Sequence, residues 1–162
     1  NDGNKIPQQT IPQYYDKLGF SYNKFADSIT VSETEWDFER YKPDIIVINL
    51  GTNDMNYAST DERKAEFEDG YLDFLKKVRS LNPDSYIFQT YGVMGTSLEE
   101  NIENVRRKYM SETGDERITF IPLTMQDEDA DGIVADWHPS PRTHSLVSQK
   151  VTAAIKETFG YK

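Results

Sequence analysis

Ile45-Ile46-Val47-Ile48-Asn49-Leu50-Gly51-Thr52-Asn53-Asp54 is the stretch whose reading decides the fold. Its apolar residues at 45–48 and 50 do not alternate with polar ones. That is the pattern of a strand covered on both faces, as in a parallel sheet between helices. Ligands of such sheets bind beyond the carboxyl ends of the strands. Gly51-Thr52-Asn53-Asp54 stands where a site belongs. The plainer alternative is a turn, since Gly, Asn and Asp are common turn residues.

Downstream, strands and helices alternate. Ser59-Thr60-Asp61-Glu62 reads as a capping box. Phe67, Tyr71, Phe74, Leu75, Val78 and Leu81 then share one helical face, and Asn82-Pro83-Asp84 ends that helix. Residues 86–91 form a second strand, with Gly92-Val93-Met94-Gly95 as the loop beyond it. Ser97 and Glu100 suggest another capping box, before a helix facing inward through Leu98, Ile102, Val105 and Tyr109 and closed by Gly114. Residues 118–121 are a third strand. An acidic loop runs from Pro122 to His138. A last helix opens at Pro139-Ser140, turns Val147, Val151, Ala154, Ile155 and Phe159 inward, and closes at Gly160. The alternation implies an α/β fold with right-handed crossovers and helices on both faces of a parallel sheet.

Upstream the pattern is different. Residues 1–13 are polar and interrupted by Gly3, Pro7 and Pro12. Tyr14, Tyr15, Leu18 and Phe20 suit a short helix and its exit, and residues 21–35 hold at most a short strand near Ile29-Thr30-Val31. Lys42-Pro43-Asp44 leads extended into the strand at 45. A strand buried on both faces expects a neighbour on each side, and residues 1–43 supply none. The chain therefore reads as the carboxyl-terminal part of a larger domain.

The 162 residues suffice for one domain. Acidic residues outnumber basic ones by 28 to 18, so a nucleic-acid partner or an anionic membrane surface is disfavoured, while an uncharged sugar is compatible. No segment approaches the ~20 apolar residues of a membrane span. The absence of cysteine excludes thiol catalysis and Cys-ligated metals. The two histidines, His138 and His144, are not spaced as a zinc pair. The acidic residues of 127–131 lack the spacing and glycine of a calcium loop, so no metal and no cofactor are expected. His138, in Ala135-Asp136-Trp137-His138-Pro139-Ser140, sits where a catalytic base belongs, although a surface histidine near a helix start is the bland alternative. His144, within the helix, reads as structural.

Val47-Ile48-Asn49-Leu50-Gly51-Thr52-Asn53-Asp54 resembles the third sequence block of the SGNH (GDSL-type) hydrolases, and Asp136-Trp137-His138-Pro139-Ser140 resembles their fifth. The nearer likeness is to carbohydrate esterase family 2, whose members deacetylate plant polysaccharides. It is carried by residues 11–16, Trp36-Asp37-Phe38, Lys42-Pro43-Asp44, residues 91–95 and Arg142-Thr143-His144. The resemblance implies a three-layer α/β/α, flavodoxin-like SGNH fold. Residues 1–162 would be the carboxyl-terminal portion of one such domain, without its first strand–helix units. It further implies a secreted esterase acting on acetylated polysaccharide or oligosaccharide. In that mechanism a serine attacks the acetyl carbonyl, a histidine takes its proton, and three donors hold the oxyanion.

Residue by residue, the resemblance makes His138 the base and the Asn53 amide one oxyanion donor, with Trp137, Asp54 and Met94 toward substrate. Thr52 and Asp54 also suit local hydrogen bonds that hold the turn. Most SGNH enzymes orient the histidine with an Asp three residues earlier; here that residue is Ala135, and the acid is Asp136. Either Asp136 or a backbone carbonyl is left to orient His138, and the latter, a Ser–His dyad, is favoured. Side chains two apart in an extended segment point the same way but rarely bond each other. The Gly-Asp-Ser nucleophile block and its partner glycine are absent. Ala26-Asp27-Ser28 mimics the block but lacks a preceding strand, so Ser28 reads as a loop residue, and Gly3 is a weak stand-in for the glycine. The nucleophile is thus expected on a missing amino-terminal segment of the same domain. Two other readings stay open. One is a non-catalytic carbohydrate-binding domain on an esterase fold, with Trp137 stacking on sugar. The other is a general GDSL lipase, for which no apolar lid is evident.

Overall fold

A computed structural model describes residues 10–20, 24–25 and 29–161. Ser28 and Gly3 lie outside them. The chain opens with a short helix α1 (Ile11–Tyr14) and an antiparallel pair of two-residue strands, β1 (Lys24–Phe25) and β2 (Ile29–Thr30). A 3-10 turn at Phe38–Arg40 follows, capped by the Asp37 carboxylate on Glu39 N. Then come β3 (Ile45–Asn49), α2 (Asp61–Leu81), β4 (Tyr86–Tyr91), α3 (Glu99–Thr113), β5 (Ile118–Pro122), α4 (Glu128–Asp131), a 3-10 turn at Ala135–Trp137, and α5 (Pro141–Phe159). Among the described residues no helix is long and apolar enough to cross a membrane.

The sheet is parallel, in the order β3-β4-β5. Asn49 pairs with Thr90, and Thr90 with Ile121. The three carboxyl ends are therefore level, and the loops at 50–58, 92–98 and 123–140 emerge from one end. Alternation sorts the side chains into two layers. Ile46, Ile48, Ile87, Tyr91 and Ile118 meet α2 and α3 through Tyr71, Phe74, Leu75, Val78, Ile102, Val105 and Tyr109. Phe88, Ile121 and Leu123 meet α5 through Val147, Val151, Ala154 and Ile155. These are the inward faces that the helical spacing predicts. Full burial of a Leu or Val stabilises by about 1.5–3 kcal/mol, so packing dominates over helix propensity here.

Three expectations are corrected. β3 is not covered on both faces: Val47 is 48 % exposed, because α5 lies over β4 and β5. Among the described residues β3 pairs only with β4. The cap of α2 is Thr60, not Ser59; the Thr60 hydroxyl accepts from Arg63 N, while Ser59 N closes a turn on Tyr57 O. Ser97 caps nothing in α3. Leu98 occupies the N-cap with its side chain fully buried, and that burial outweighs a cap worth about 1 kcal/mol. The closing glycines do behave as expected: Gly114 and Gly160 both end their helices in the left-handed conformation.

The amino-terminal segment is tied to α2. Lys77 Nζ donates to Pro12 O (2.7 Å) and Asp16 Oδ1 (2.9 Å), and Tyr15 packs edge-on against Phe74 at 5.3 Å. At the amino end of the sheet, Arg79 joins three elements. Its guanidinium donates to the carbonyls of Asn82, Ser85 and Arg117 and meets Asp115 at 2.6 Å. Asp115 also accepts from Tyr109 Oη and Arg117 Nε. Burial raises the Asp115 pKa, but the Tyr109 and Arg117 hydrogen bonds and the Arg79 charge together hold it below the usual carboxylate value. A depressed folded-state pKa gives stability that is present above the unfolded pKa and lost as pH falls through the folded one. Arg79→Met should cost about 2 kcal/mol in urea unfolding, because Asp115 loses its nearest cation and the carbonyls of Asn82, Ser85 and Arg117 lose a charged donor. Asp115→Asn should flatten the decline in stability on the acid side of the ordinary Asp range, as read from urea midpoints against pH.

Candidate active site

All the candidate residues lie on the loops at the carboxyl end of the sheet. After β3 the chain turns at Gly51, whose φ is 121°. Asp54 N and Met55 N both donate to Gly51 O, at 3.0 and 3.1 Å, and Ala58 N donates to Asp54 O. A Cβ on Gly51 would stand 3.0 Å from Tyr91 Cε2 and 3.3 Å from Ile102 Cδ1. This turn places Asn53 and Asp54 at the exposed surface. Although Asp54 is an exposed residue, protein crowds its carboxyl. That desolvation raises its pKa against a hydrogen bond from the backbone that lowers it.

The loop after β4 packs against both neighbours. Gly92 has φ 140°, and a Cβ there would lie 2.2 Å from Leu123 O. Only glycine tolerates both that angle and that approach. Leu123 N donates to Tyr91 O at 2.7 Å on the same contact. Val93 follows at φ 53°, and Met94 is half-buried against the α5-side core. A Cβ on Gly95 would lie 2.6 Å from Met55 Sδ, so this loop touches the Gly51–Asp54 turn.

The histidine loop is folded on itself, not merely acidic and solvated. Asp127 caps α4 through Asp129 N and Ala130 N. Ser140 caps α5 through Thr143 N and donates to Asp131 O at 2.6 Å, while Arg142 pairs with Asp131 at 2.6 Å. Val134 N donates to His138 O, and His138 N to Ala135 O. Asp136 and Trp137 both take positive φ, 55° and 62°. Gln126 Nε2 donates to Trp137 O at 2.9 Å.

His138 Nδ1 lies 3.1 Å from Ala135 O. A carbonyl can only accept, so in the neutral imidazole this contact places the proton on Nδ1 and leaves the lone pair on Nε2. Asp136 makes no hydrogen bond to His138; the left-handed turn carries its side chain elsewhere. Trp137 is 59 % exposed, and Met125, Ile133 and Val134 on the same loop are exposed too. His144 is exposed in the second turn of α5. Sequence reasoning missed Gln126, since a single Gln in a polar loop carries no periodic or motif signal. Gly92→Ala should cost at least about 2 kcal/mol in urea unfolding, because Leu123 backbone must shift to admit the methyl.

The chain is similar to known proteins over most of its length. The chain is 34 % identical over 148 residues to the cellulase/esterase CelE of Acetivibrio thermocellus, covering 86 % of the chain and 17 % of that protein. It is 22 % identical over 157 residues to an acetylxylan esterase / glucomannan deacetylase of Cellvibrio japonicus, covering 97 % of the chain and 40 % of that protein. A family two carbohydrate esterase from Clostridium thermocellum, solved in complex with cellohexaose, superposes with a TM-score of 0.79 at 32 % identity, over 97 % of this chain and 46 % of that one. The acetyl xylan esterase Est2A of Butyrivibrio proteoclasticus superposes with a TM-score of 0.83 at 24 % identity, over 93 % and 46 %, a likeness of fold. The chain thus spans less than half of each of these relatives. The GDSL-like lipase/acylhydrolase family model matches residues 6–146, and the chain belongs to that family.

Proposed function

We propose that this chain carries the base and one oxyanion donor of a secreted carbohydrate acetylesterase acting on plant cell-wall polysaccharide. The observation that carries the reading is the Nδ1 contact of His138 with Ala135 O, which leaves Nε2 as a base at the carboxyl end of the sheet. In this role Nε2 takes the proton of a serine hydroxyl as the oxygen attacks the acetyl carbonyl, then returns it to the departing sugar oxygen. The Asn53 amide donates to the oxyanion without bringing a charge that must be desolvated. The carbonyl of Ala135, in place of a carboxylate, orients the imidazole, which makes a Ser–His dyad. Asp136 then acts through the turn it occupies. This reading is supported by Asn53, Asp54, Met94, Trp137 and His138 all lying on the loops that follow the level carboxyl ends of β3, β4 and β5, and the similarity to a cellulase/esterase and an acetylxylan esterase supports the substrate class.

The nucleophile is assigned to an amino-terminal segment of the same domain that lies along the edge of β3 that no described strand pairs, over exposed Val47. The 162-residue chain should then release p-nitrophenol from p-nitrophenyl acetate no faster than buffer. Robust turnover lost in Ser28→Ala would sink this assignment. In a chain extended upstream to include the nucleophile, His138→Ala should lower kcat/KM by about 10³-fold. Asn53→Ala should lower it by about 10²-fold. Asp136→Asn should stay within about tenfold if a carbonyl orients the base, since it removes no contact to the ring.

A second reading has its own observation. The loop that carries His138 exposes four apolar side chains, Met125, Ile133, Val134 and Trp137, and the Trp137 ring is suited to the face of a sugar. Affinity electrophoresis on cellulose and xylan separates the two readings. Retardation abolished by Trp137→Ala, with no hydrolysis even in the extended chain, would favour a binding domain over an esterase.

A further inference from the structure

Three non-glycine residues among those described hold positive φ: Val93, Asp136 and Trp137. They belong to two separate loops, and one residue bonds to both. Gln126, 8 % exposed, donates its backbone N–H to Val93 O at 2.8 Å and its side-chain Nε2 to Trp137 O at 2.9 Å. Positive φ is unfavourable for a β-branched valine and a bulky tryptophan. It persists only where the surroundings over-determine the backbone. The Gln126 carboxamide cannot be reversed, because its oxygen would then face the Trp137 carbonyl. In this orientation Oε1 is enclosed without a hydrogen-bond partner. An apolar side chain of the same shape would leave no such orphan. An amide that leaves one buried atom unsatisfied is therefore better explained by what its other atom holds than by its contribution to stability.

We propose that Gln126 is the positioning residue for His138. By holding Trp137 O it keeps Asp136 and Trp137 in their left-handed pair. That pair turns the chain back so that both N and Nδ1 of His138 reach Ala135 O. Through its backbone bond to Val93 it sets the histidine loop against the loop after β4. The role rests on the reading of His138 as a base, but its test does not.

Gln126→Met keeps the side-chain length and the backbone bond to Val93, and removes only the donor to Trp137 O. The chain has two histidines, so a long-range 1H–15N spectrum contains two imidazoles, with His144 as internal reference. At alkaline pH, His138 of the 162-residue chain should be mainly the Nδ1–H tautomer. In Gln126→Met the Nδ1–H to Nε2–H ratio of His138 should fall about fivefold, the size expected for losing one neutral hydrogen bond, while His144 does not change. Gln126→Asn, too short to reach, should do the same and serves if the Met variant does not fold. An unchanged His138 ratio in a folded variant would overturn the proposal. Failure of both variants to fold would also overturn it, in favour of a purely structural role. In the upstream-extended chain, Gln126→Met should lower kcat about tenfold and leave KM within about twofold. If that chain hydrolyses no acetyl ester while the tautomer ratio still shifts, the positioning role stands and the esterase reading falls.

Discussion

The fully buried ring of Tyr91 lies at the carboxyl end of β4, and the loops at that end are arranged around it. Gly51 passes over the ring so closely that a Cβ would stand 3.0 Å from Tyr91 Cε2, at a φ of 121° that side chains rarely adopt, and Gly95 comes close to Met55 nearby. Gly92, next in the chain, is pressed onto Leu123 O by the same descent from the strand. Close approaches at these three glycines link the loops: Gly51 seats the turn carrying Asn53 on Tyr91, Gly95 brings the loop carrying Met94 against Met55, and Gly92 brings that loop against Leu123 at the start of the histidine loop. These approaches are contacts of close packing, of the kind found in a core.

The opposite end of the sheet is held differently. There Arg79 satisfies three carbonyls from the loops before β4 and β5, and its charge is matched by Asp115. Conformational strain collects at the other end, where positive φ falls on Val93, Asp136 and Trp137. This division suits a parallel α/β sheet, where polar groups can close the amino end and ligands as a rule bind beyond the carboxyl end. An imidazole held by a backbone carbonyl has its tautomer fixed without a second negative charge in a chain that is already strongly acidic.

The fold was legible wherever burial follows a period. Residues 67–81 and 102–109 repeat at helical spacing, and 45–50, 86–91 and 118–121 are apolar runs of strand length. The structure turns those faces inward. Where a short-range signal competes with packing, packing prevails. Ser97 looks like a cap, but Leu98 is drawn into the core at that position. The apolar character of β3 was read as burial on both faces. Apolarity records what a strand is suited to, whereas Val47 shows what covers it in this chain.

The sequence alone determined the strand–helix alternation, the helix-ending glycines, and the residue types at the candidate site: an amide at 53, an imidazole at 138, a carboxylate at 136. These are properties of neighbouring residues and of periods along the chain. Only the tertiary structure decided that Ala135 O and not Asp136 holds Nδ1, and that Gln126 reaches both strained loops. The first depends on the backbone at Asp136 and Trp137 turning left-handed, against the preference of both residues. The second depends on β4 and β5 being level, which brings residues far apart in the chain to one rim. Neither is a local propensity, so neither leaves a mark in the order of the amino acids.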